Sequence, residues 1–455
     1  MAAETVERET APGPRAGGMA GLAHAFRSGE TTIAAVVDQY FSRISAGEAD
    51  IGAFEHLAEE SARSTAAALD TLLSEGTDLG PLMGMPLVIK DLFAVEGMPV
   101  RAGSDVDVAS LIGPEGSFVR RLRRAGSVIL GKTRTIEFAL GGAGGVNQRR
   151  GTPRNPCDAT VFRGCGGSSS GSAAAVAAGF SAFAVGSDTG GSVRIPAAFC
   201  GLVGLKPTTG LWPTDGVFPL SESLDTIGVL TRSVADAAFV FSALEAEPLP
   251  ACRPVRSLRL GLLSDPSLDP PVAAAWGAAV AQLRAAGARI EDVELPDFGR
   301  AEDYYHAIVP AEFIASFGAA RFEAVRGALG EDIAARGGAG LTLTAERYIT
   351  MQRRRQDLAR RAHAAIAGFD AWLSPTVDML APPVAAFEDV ATALALNARI
   401  GRLTRAINLC DFCSLSMPLP GAALPVGLQV MAPRRQDGVL LAVGSEIERV
   451  LAAAA

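Results

Sequence analysis

Two short clusters hold most of the chain's candidate chemistry. The first, from Gly164, reads Gly-Cys-Gly-Gly-Ser-Ser-Ser-Gly-Ser; the second, from Gly186, reads Gly-Ser-Asp-Thr-Gly-Gly-Ser-Val-Arg-Ile-Pro. Glycine at this density lets backbone turn tightly, approach a ligand and aim free amide N–H groups at it. The serines in between are either cap and turn residues or nucleophiles, and a nucleophilic serine needs a base. Histidine does not supply one locally: His24, His56, His306 and His363 are scattered, and none neighbours the clusters. A Ser-His-Asp triad would need His306 or His363 to reach in from helix-like segments, and no metal-ligand grouping is visible. Lysine is the remaining candidate. Lys90, Lys132 and Lys206 are the only lysines among 41 basic residues, so surface charge falls to arginine. A lysine amine, unlike a guanidinium, can lose its proton when desolvated and serve as a base. Lys90 ends the apolar run Met85-Pro-Leu-Val-Ile-Lys90, which reads as a buried strand. The competing role for Lys90 is an ion pair with Asp91. Lys132 and Lys206 fall in turn-like contexts and read as structural.

Elements must position these groups. The alanine-rich stretch Ser172 to Gly179 is a strong helix former leaving the first cluster, which places that cluster at a helix N-terminus. The second cluster ends a strand near Gly186 and turns through Asp188-Thr189-Gly190-Gly191 before Ser192. Two such loops can face one another, with successive N–H groups near Ser192 available to an oxyanion. Amphipathic helices are predicted from Met19 to Glu75. Strand-like runs follow at 87–89, 127–130, 182–186, 257–263, 290–295, 370–376 and 426–430, alternating with helical patterns that include a long section over 301–369. This alternation predicts an α/β fold, a large mixed, mostly parallel central sheet covered by helices on both faces. Residues 1–18 read as a loose leader. The expected organisation is one domain over 19–455: N-terminal helices over about 19–78, a core over about 79–245, and a substrate-pocket half over about 255–455, entered past the joint Glu247-Pro-Leu-Pro250.

Composition narrows the function classes. The 455 residues are 49% hydrophobic, ample for a core, and the net charge of −8 with pI near 5.3 argues against a nucleic-acid surface. The arginines at 353–355 and 360–361 read as a solvated helix face. Six cysteines make no disulfide framework, and Cys410-x-x-Cys413, with apolar flanks, reads as buried thiols. No apolar run reaches membrane-spanning length; the best, Ala173 to Val185, is broken by Gly179 and Ser181. The N-terminus lacks the apolar stretch of a signal peptide. A cytoplasmic enzyme without cofactor or metal is the expectation, with a second copy of the chain as a candidate partner.

At these same residues the chain resembles the amidase signature family. Gly84-Met-Pro through Lys90-Asp91 is similar to its lysine strand, and Gly166 to Ser172 with the following alanines to its glycine/serine signature. Gly186 through Pro207 is similar to its nucleophile segment, with further likeness at Ser223-Leu-Asp225, Leu373-Ser-Pro-Thr376 and Leu424 to Gln429. The resemblance implies the amidase signature fold and a Ser192–Ser168–Lys90 triad in which Ser192 attacks a carbonyl. Ser168, after a cis peptide at Gly167, relays the proton to neutral Lys90. The N–H groups of Thr189, Gly190, Gly191 and Ser192 would hold the oxyanion, with Gly167, Ser169, Asp188 and Arg194 in support. Arg194 either binds an acidic substrate group or, the preferred reading, ties Asp188 and its loop together. Ser170 stands where the family commonly has glycine.

The implied activity is hydrolysis of small amides, with carbamates (urethanes) or esters as further substrates. The alternative is the glutaminase component of a tRNA-dependent amidotransferase. That component usually carries glutamine and tyrosine where Ile195 and Thr209 stand. Candidate pocket walls are 141–150 and 304–351, where Phe313, Phe317 and Tyr348 suggest an uncharged, aryl or alkyl substrate or, equally, core packing.

Overall fold

The computed structural model describes residues 17–147, 149–263, 267–295 and 297–453, so the leader expected over 1–18 lies outside the described residues up to position 16. Among the described residues eleven strands form one sheet: β1 (Phe54–Leu57), β2 (Pro86–Lys90), β3 (Val128–Thr133), β4 (Phe183–Ser187), β5 (Val203–Lys206), β6 (Ile227–Thr231), β7 (Arg259–Leu263), β8 (Arg289–Val293), β9 (Ala371–Pro375), β10 (Cys413–Pro418) and β11 (Gly427–Ala432). Their spatial order is β1-β3-β2-β4-β6-β5-β10-β11-β9-β7-β8. Every residue of β2, β3, β4, β5, β6, β9 and β11 is buried, which their Val/Ile/Leu/Ala/Gly-rich sequences permit.

The sheet is mixed, as expected, but its parallel share is smaller than the sequence suggests. Parallel pairing is confined to two patches, β3-β2-β4 and β9-β7-β8. Between them β4, β6, β5, β10, β11 and β9 pair antiparallel, and β1 adds an antiparallel edge. The reason is specific: β1, β5, β6 and β10 are not apparent as strands from sequence, and each of them pairs only antiparallel. Helices cover both faces. Leu415 meets Gly444 of the helix Asp437–Ala452, whereas Ser416, next along β10, lies on the face carrying Ala198 of the helix Arg194–Phe199.

The N-terminal helices are Gly18–Ser28, Ile33–Ile51 and Glu59–Ser74. Thr32 caps the second, its side chain accepting from the Ala35 N–H at 3.1 Å. The long helical section resolves into Ala301–Phe317, Ala319–Val325, Glu331–Leu341 and Ala345–Ile366. Lys132 and Lys206 both lie in strands rather than turns. Lys132 is fully buried on β3, where its Nζ sits 2.6 Å from Asp91 Oδ1 and donates to the Pro99 carbonyl at 2.9 Å. Asp91 is therefore the partner of Lys132.

Removing one member of a buried ion pair strands the other, at a cost of about 3–5 kcal/mol. Lys132→Met is expected to lower stability on that scale, read as a reduced denaturant midpoint. Adding Asp91→Asn, which removes the stranded charge and keeps an acceptor for the Arg101 N–H, is expected to recover part of the loss.

Candidate active site

Lys90 is the last residue of β2, and the pairing of Ile89 with Val185 sets it beside the Gly186–Ser187 end of β4. The carboxyl ends of two adjacent parallel strands thus open onto one place, where α/β sheets commonly hold ligands. The Lys90 side chain is fully buried, with Nζ 2.7 Å from Ser168 Oγ and 3.0 Å from Ser187 Oγ. Burial drives its pKa down to about 7, against the opposing pull of the Asp188 and Asp225 charges.

Ser168 follows a cis Gly167–Ser168 peptide. Its carbonyl accepts from the Ile136 N–H at 3.2 Å and the Thr135 hydroxyl at 2.9 Å. Gly167 donates to the Ala143 carbonyl at 2.9 Å, and a Cβ there would collide with the Gly142 oxygen, so this approach needs glycine. The two clusters meet where the Ser169 N–H donates to the Ser192 carbonyl at 3.2 Å. Ser192 is half-buried, and its hydroxyl makes no hydrogen bond among the described residues.

Asp188 organises the turn before Ser192. Its carboxylate accepts from the N–H groups of Gly191 at 2.8 Å, Val193 at 3.2 Å and Arg194 at 3.4 Å. The Gly191 N–H is therefore already committed, which corrects its expected role as an oxyanion donor. Among the described residues the N–H groups of Thr189, Gly190 and Ser192 have no partner within the chain. Burial pushes the Asp188 carboxyl up, but Arg194 overrides this and holds it well below the usual carboxylate range. Arg194 is itself fully buried, donating from Nε and Nη2 to Asp188 at 3.0 and 2.9 Å and from Nη1 to Gln429 Oε1 at 2.6 Å. It also bonds Asn408. With its donors engaged inside the protein, Arg194 ties the loop and does not face a ligand.

Ser187 and Asp225 join the site; both fall in segments named from sequence, where neither was given a role. Ser187 belongs to the second cluster and is the last residue of β4, beside the end of β2. Asp225 accepts from the Thr189 hydroxyl at 2.6 Å and from the Leu220 and Ser221 N–H groups at 2.9 Å, and burial pushes its pKa up to about 6. The pocket wall falls within the expected 141–150 and 304–351, at Gly141, Tyr305 and Arg336, but not at the aromatic residues named there. Phe313 and Phe317 are core residues, packed with Phe138 and Phe322, and Tyr348 bonds Glu312 at 2.7 Å. The cavity of about 350 Å³ beside Gly141 is lined instead by Tyr305, Arg336 and Arg405 as well as apolar groups. Two of the histidines have partners of their own: His306, which also lines this cavity, lies 3.1 Å from Glu302, and His363 contacts the Cys410 carbonyl. Cys410 and Cys413 are both buried.

Known proteins match this architecture along nearly the whole chain. The Amidase family model matches residues 35–441. A 2-amino-5-chloromuconic acid deaminase of Comamonas testosteroni is 39% identical over 439 residues, covering 93% of this chain and 94% of that protein. A glutamyl-tRNA(Gln) amidotransferase component of Koribacter versatilis is 33% identical, with 94% and 97% covered. A crystal structure of an amidase superposes with a TM-score of 0.88 at 35% identity, covering 95% of this chain and 100% of that one.

A methyl group on Gly191, whose φ is 121°, would collide with Thr404 Oγ1 and displace the Gly190–Ser192 turn. Gly191→Ala is therefore expected to lower kcat by on the order of 10²–10³, the usual effect of losing an oxyanion donor. Steady-state kinetics beside a retained melting transition check it.

Proposed function

The chain belongs to the amidase signature family of hydrolases that act on amides, and on that premise we propose that it cleaves small amides through an acyl-enzyme on Ser192. Neutral Lys90 takes the Ser168 proton while Ser168 takes that of Ser192, whose Oγ bonds to the carbonyl carbon. The carbonyl oxygen becomes an oxyanion facing the free N–H groups of Thr189, Gly190 and Ser192. The proton returns from Lys90 through Ser168 to the leaving nitrogen as the C–N bond breaks. Water then adds to the acyl carbon, giving its proton to the same relay, and the acid departs as Ser192 recovers its own. Aryl or alkyl carbamates and esters present the same carbonyl to the same nucleophile, and we include them as secondary substrates.

One observation carries this reading: the only amine bonded to Ser168 Oγ among the described residues, at 2.7 Å, is fully buried and has its pKa drawn down to about 7. The Ser192–Ser168 hydrogen bond is the link that substrate binding must close, a tightening common between free and occupied sites. A free-standing hydrolase is favoured over an amidotransferase component by Ile195, buried and apolar one helical turn past Ser192, where that component has glutamine. Glutamine hydrolysis feeding ammonia to partner proteins would reverse that preference.

Ser192→Ala is expected to abolish turnover with the fold retained, and an activated aryl carbamate to leave its carbamoyl group on Ser192 in peptide mass spectra. Labelling of any other side chain would sink the assignment. Lys90→Arg is expected to fail nearly as badly as Lys90→Ala, since arginine stays protonated. The base works only when neutral, so kcat/KM is expected to climb with pH through about 7 and level off above it. An amine at its ordinary 10.5 would still be climbing at about pH 9.

A further inference from the structure

The cavity beside the Ser192 loop contains a guanidinium with unmatched donors. Arg336, on the helix Glu331–Leu341, has both Nε and Nη2 shut off from solvent and without a hydrogen-bond partner. Asp332, one turn earlier, and Glu302 act on it only through space, and neither makes an ion pair with it among the described residues. The second guanidinium in the cavity, Arg405, is engaged: it donates to Glu302 at 2.7 Å and to the Ala398 and Asn397 carbonyls at 3.1 and 2.9 Å. Glu302 is shared further with His306 at 3.1 Å. Arg336 is thus the cation in this cavity whose donors lack acceptors, and burying such donors is costly.

The cavity adjoins the reaction centre on two sides. A Cβ on Gly190 would lie 2.6 Å from the Tyr305 hydroxyl, so that phenol touches the turn bearing the free amides. A Cβ on Gly141 would lie 2.6 Å from Arg336 Nε, and the adjoining Gly142 carbonyl packs against Gly167, before Ser168. The Tyr305 hydroxyl makes no hydrogen bond among the described residues. Burial pushes its pKa up to about 12, which keeps it a proton donor.

We propose that this cavity takes a carboxylate, so that the preferred substrates are amides carrying an acid group a few atoms from the scissile C–N bond. Once its unpartnered Nε and Nη2 turn from Gly141 into the cavity as the acid binds, Arg336 forks the carboxylate oxygens, the geometry for which a guanidinium is suited. Arg405 adds positive field, and the Tyr305 hydroxyl lies between the acid and the carbonyl held at Gly190. The proposal rests on Ser192 being the nucleophile and adds the substrate class. It replaces the uncharged substrate suggested by Phe313, Phe317 and Tyr348, which pack elsewhere.

The test compares succinamic and glutaramic acids with the neutral butyramide and valeramide, using wild type, Arg336→Gln and Arg336→Lys. Wild type is expected to favour the acids by about 100-fold in kcat/KM, a ratio that good charge-assisted pairing supports. Arg336→Gln is expected to collapse that ratio, mainly through KM for the acids, and Arg336→Lys to hold an intermediate value. A wild-type ratio near one, or a ratio unchanged in Arg336→Gln, overturns the proposal. Should Arg336→Gln not fold, calorimetric titration of Ser192→Ala with succinamic acid and butyramide decides. Selective binding of the acid supports the carboxylate site, and equal or absent binding overturns it. Neutral amides hydrolysed through Ser192 with no acid preference would leave the nucleophile standing and remove only this proposal. Acid-selective binding to a protein whose Ser192 is never acylated would do the reverse.

Discussion

Withholding water from the Lys90 amine shifts the balance that would otherwise keep it protonated, and much of the surrounding structure serves that end. The side chain leaves the sheet at the end of β2, where neighbouring strands cover its flanks and two hydroxyls, on Ser168 and Ser187, replace solvent. Two nearby carboxylates, Asp188 and Asp225, pull the other way, and burial outweighs them. Each carboxylate is restrained by its own partners. Asp188 spends its charge on Arg194 and three backbone N–H groups; Asp225 accepts from Thr189 and two more. A carboxylate free to approach Lys90 would instead stabilise the ammonium and remove the base. Desolvation and the confinement of nearby acids are thus two parts of one device.

The Asp188–Arg194 pair also shapes the turn that carries Ser192. By accepting from Gly191, Val193 and Arg194, the carboxylate turns those N–H groups inward and leaves those of Thr189, Gly190 and Ser192 unpaired among the described residues. Buried pairs of this kind contribute little net stability compared with apolar packing, but they penalise every arrangement that breaks them. Here the penalty falls on displacement of the turn with the unpaired N–H groups, proposed above to hold the oxyanion. Gln429 and Asn408 extend the network to β11 and the helix Val390–Leu409, so the turn is anchored from the far half of the chain.

The proposed reaction centre stands out because it is local in sequence. Glycine and serine density marked both loops, and the scarcity of lysine isolated Lys90. What composition could not convey was register. Lys132 follows a glycine and Lys206 precedes a proline, so both look like turn residues, yet both are strand residues, and the charge of Lys132 is managed by the distant Asp91. The strands β5 and β6 are short and lack alternation, since both faces are buried; β10 does alternate, with Ser414 and Ser416 between apolar residues, but is not among the strand-like runs named above. Without these three the sheet looks more parallel than it is. The cavity beside Gly141 was less visible still. Arg336 sits in an alanine- and glycine-rich helix, and nothing in its neighbours distinguishes it from the many surface arginines. Only the packing of three helices, which brings Tyr305, Arg336 and Arg405 together, sets it apart.

This division has a physical basis. A proton relay tolerates little error, because each transfer needs heavy atoms within hydrogen-bond distance, so its members come from strand ends and glycine turns held on the sheet. Selecting a substrate group a few atoms away demands charge and room more than fixed angles. Long side chains from helices outside the sheet can provide both. Such a site can change partner by changing one residue on one helix while the relay stays put. A guanidinium with unpaired donors inside a folded chain opposes folding, and local rules violated in this way tend to mark functional places. Arg194, fully buried where Arg336 is half-buried, is the counter-case within the same molecule: its partners are internal, and the group has nothing left to offer a ligand.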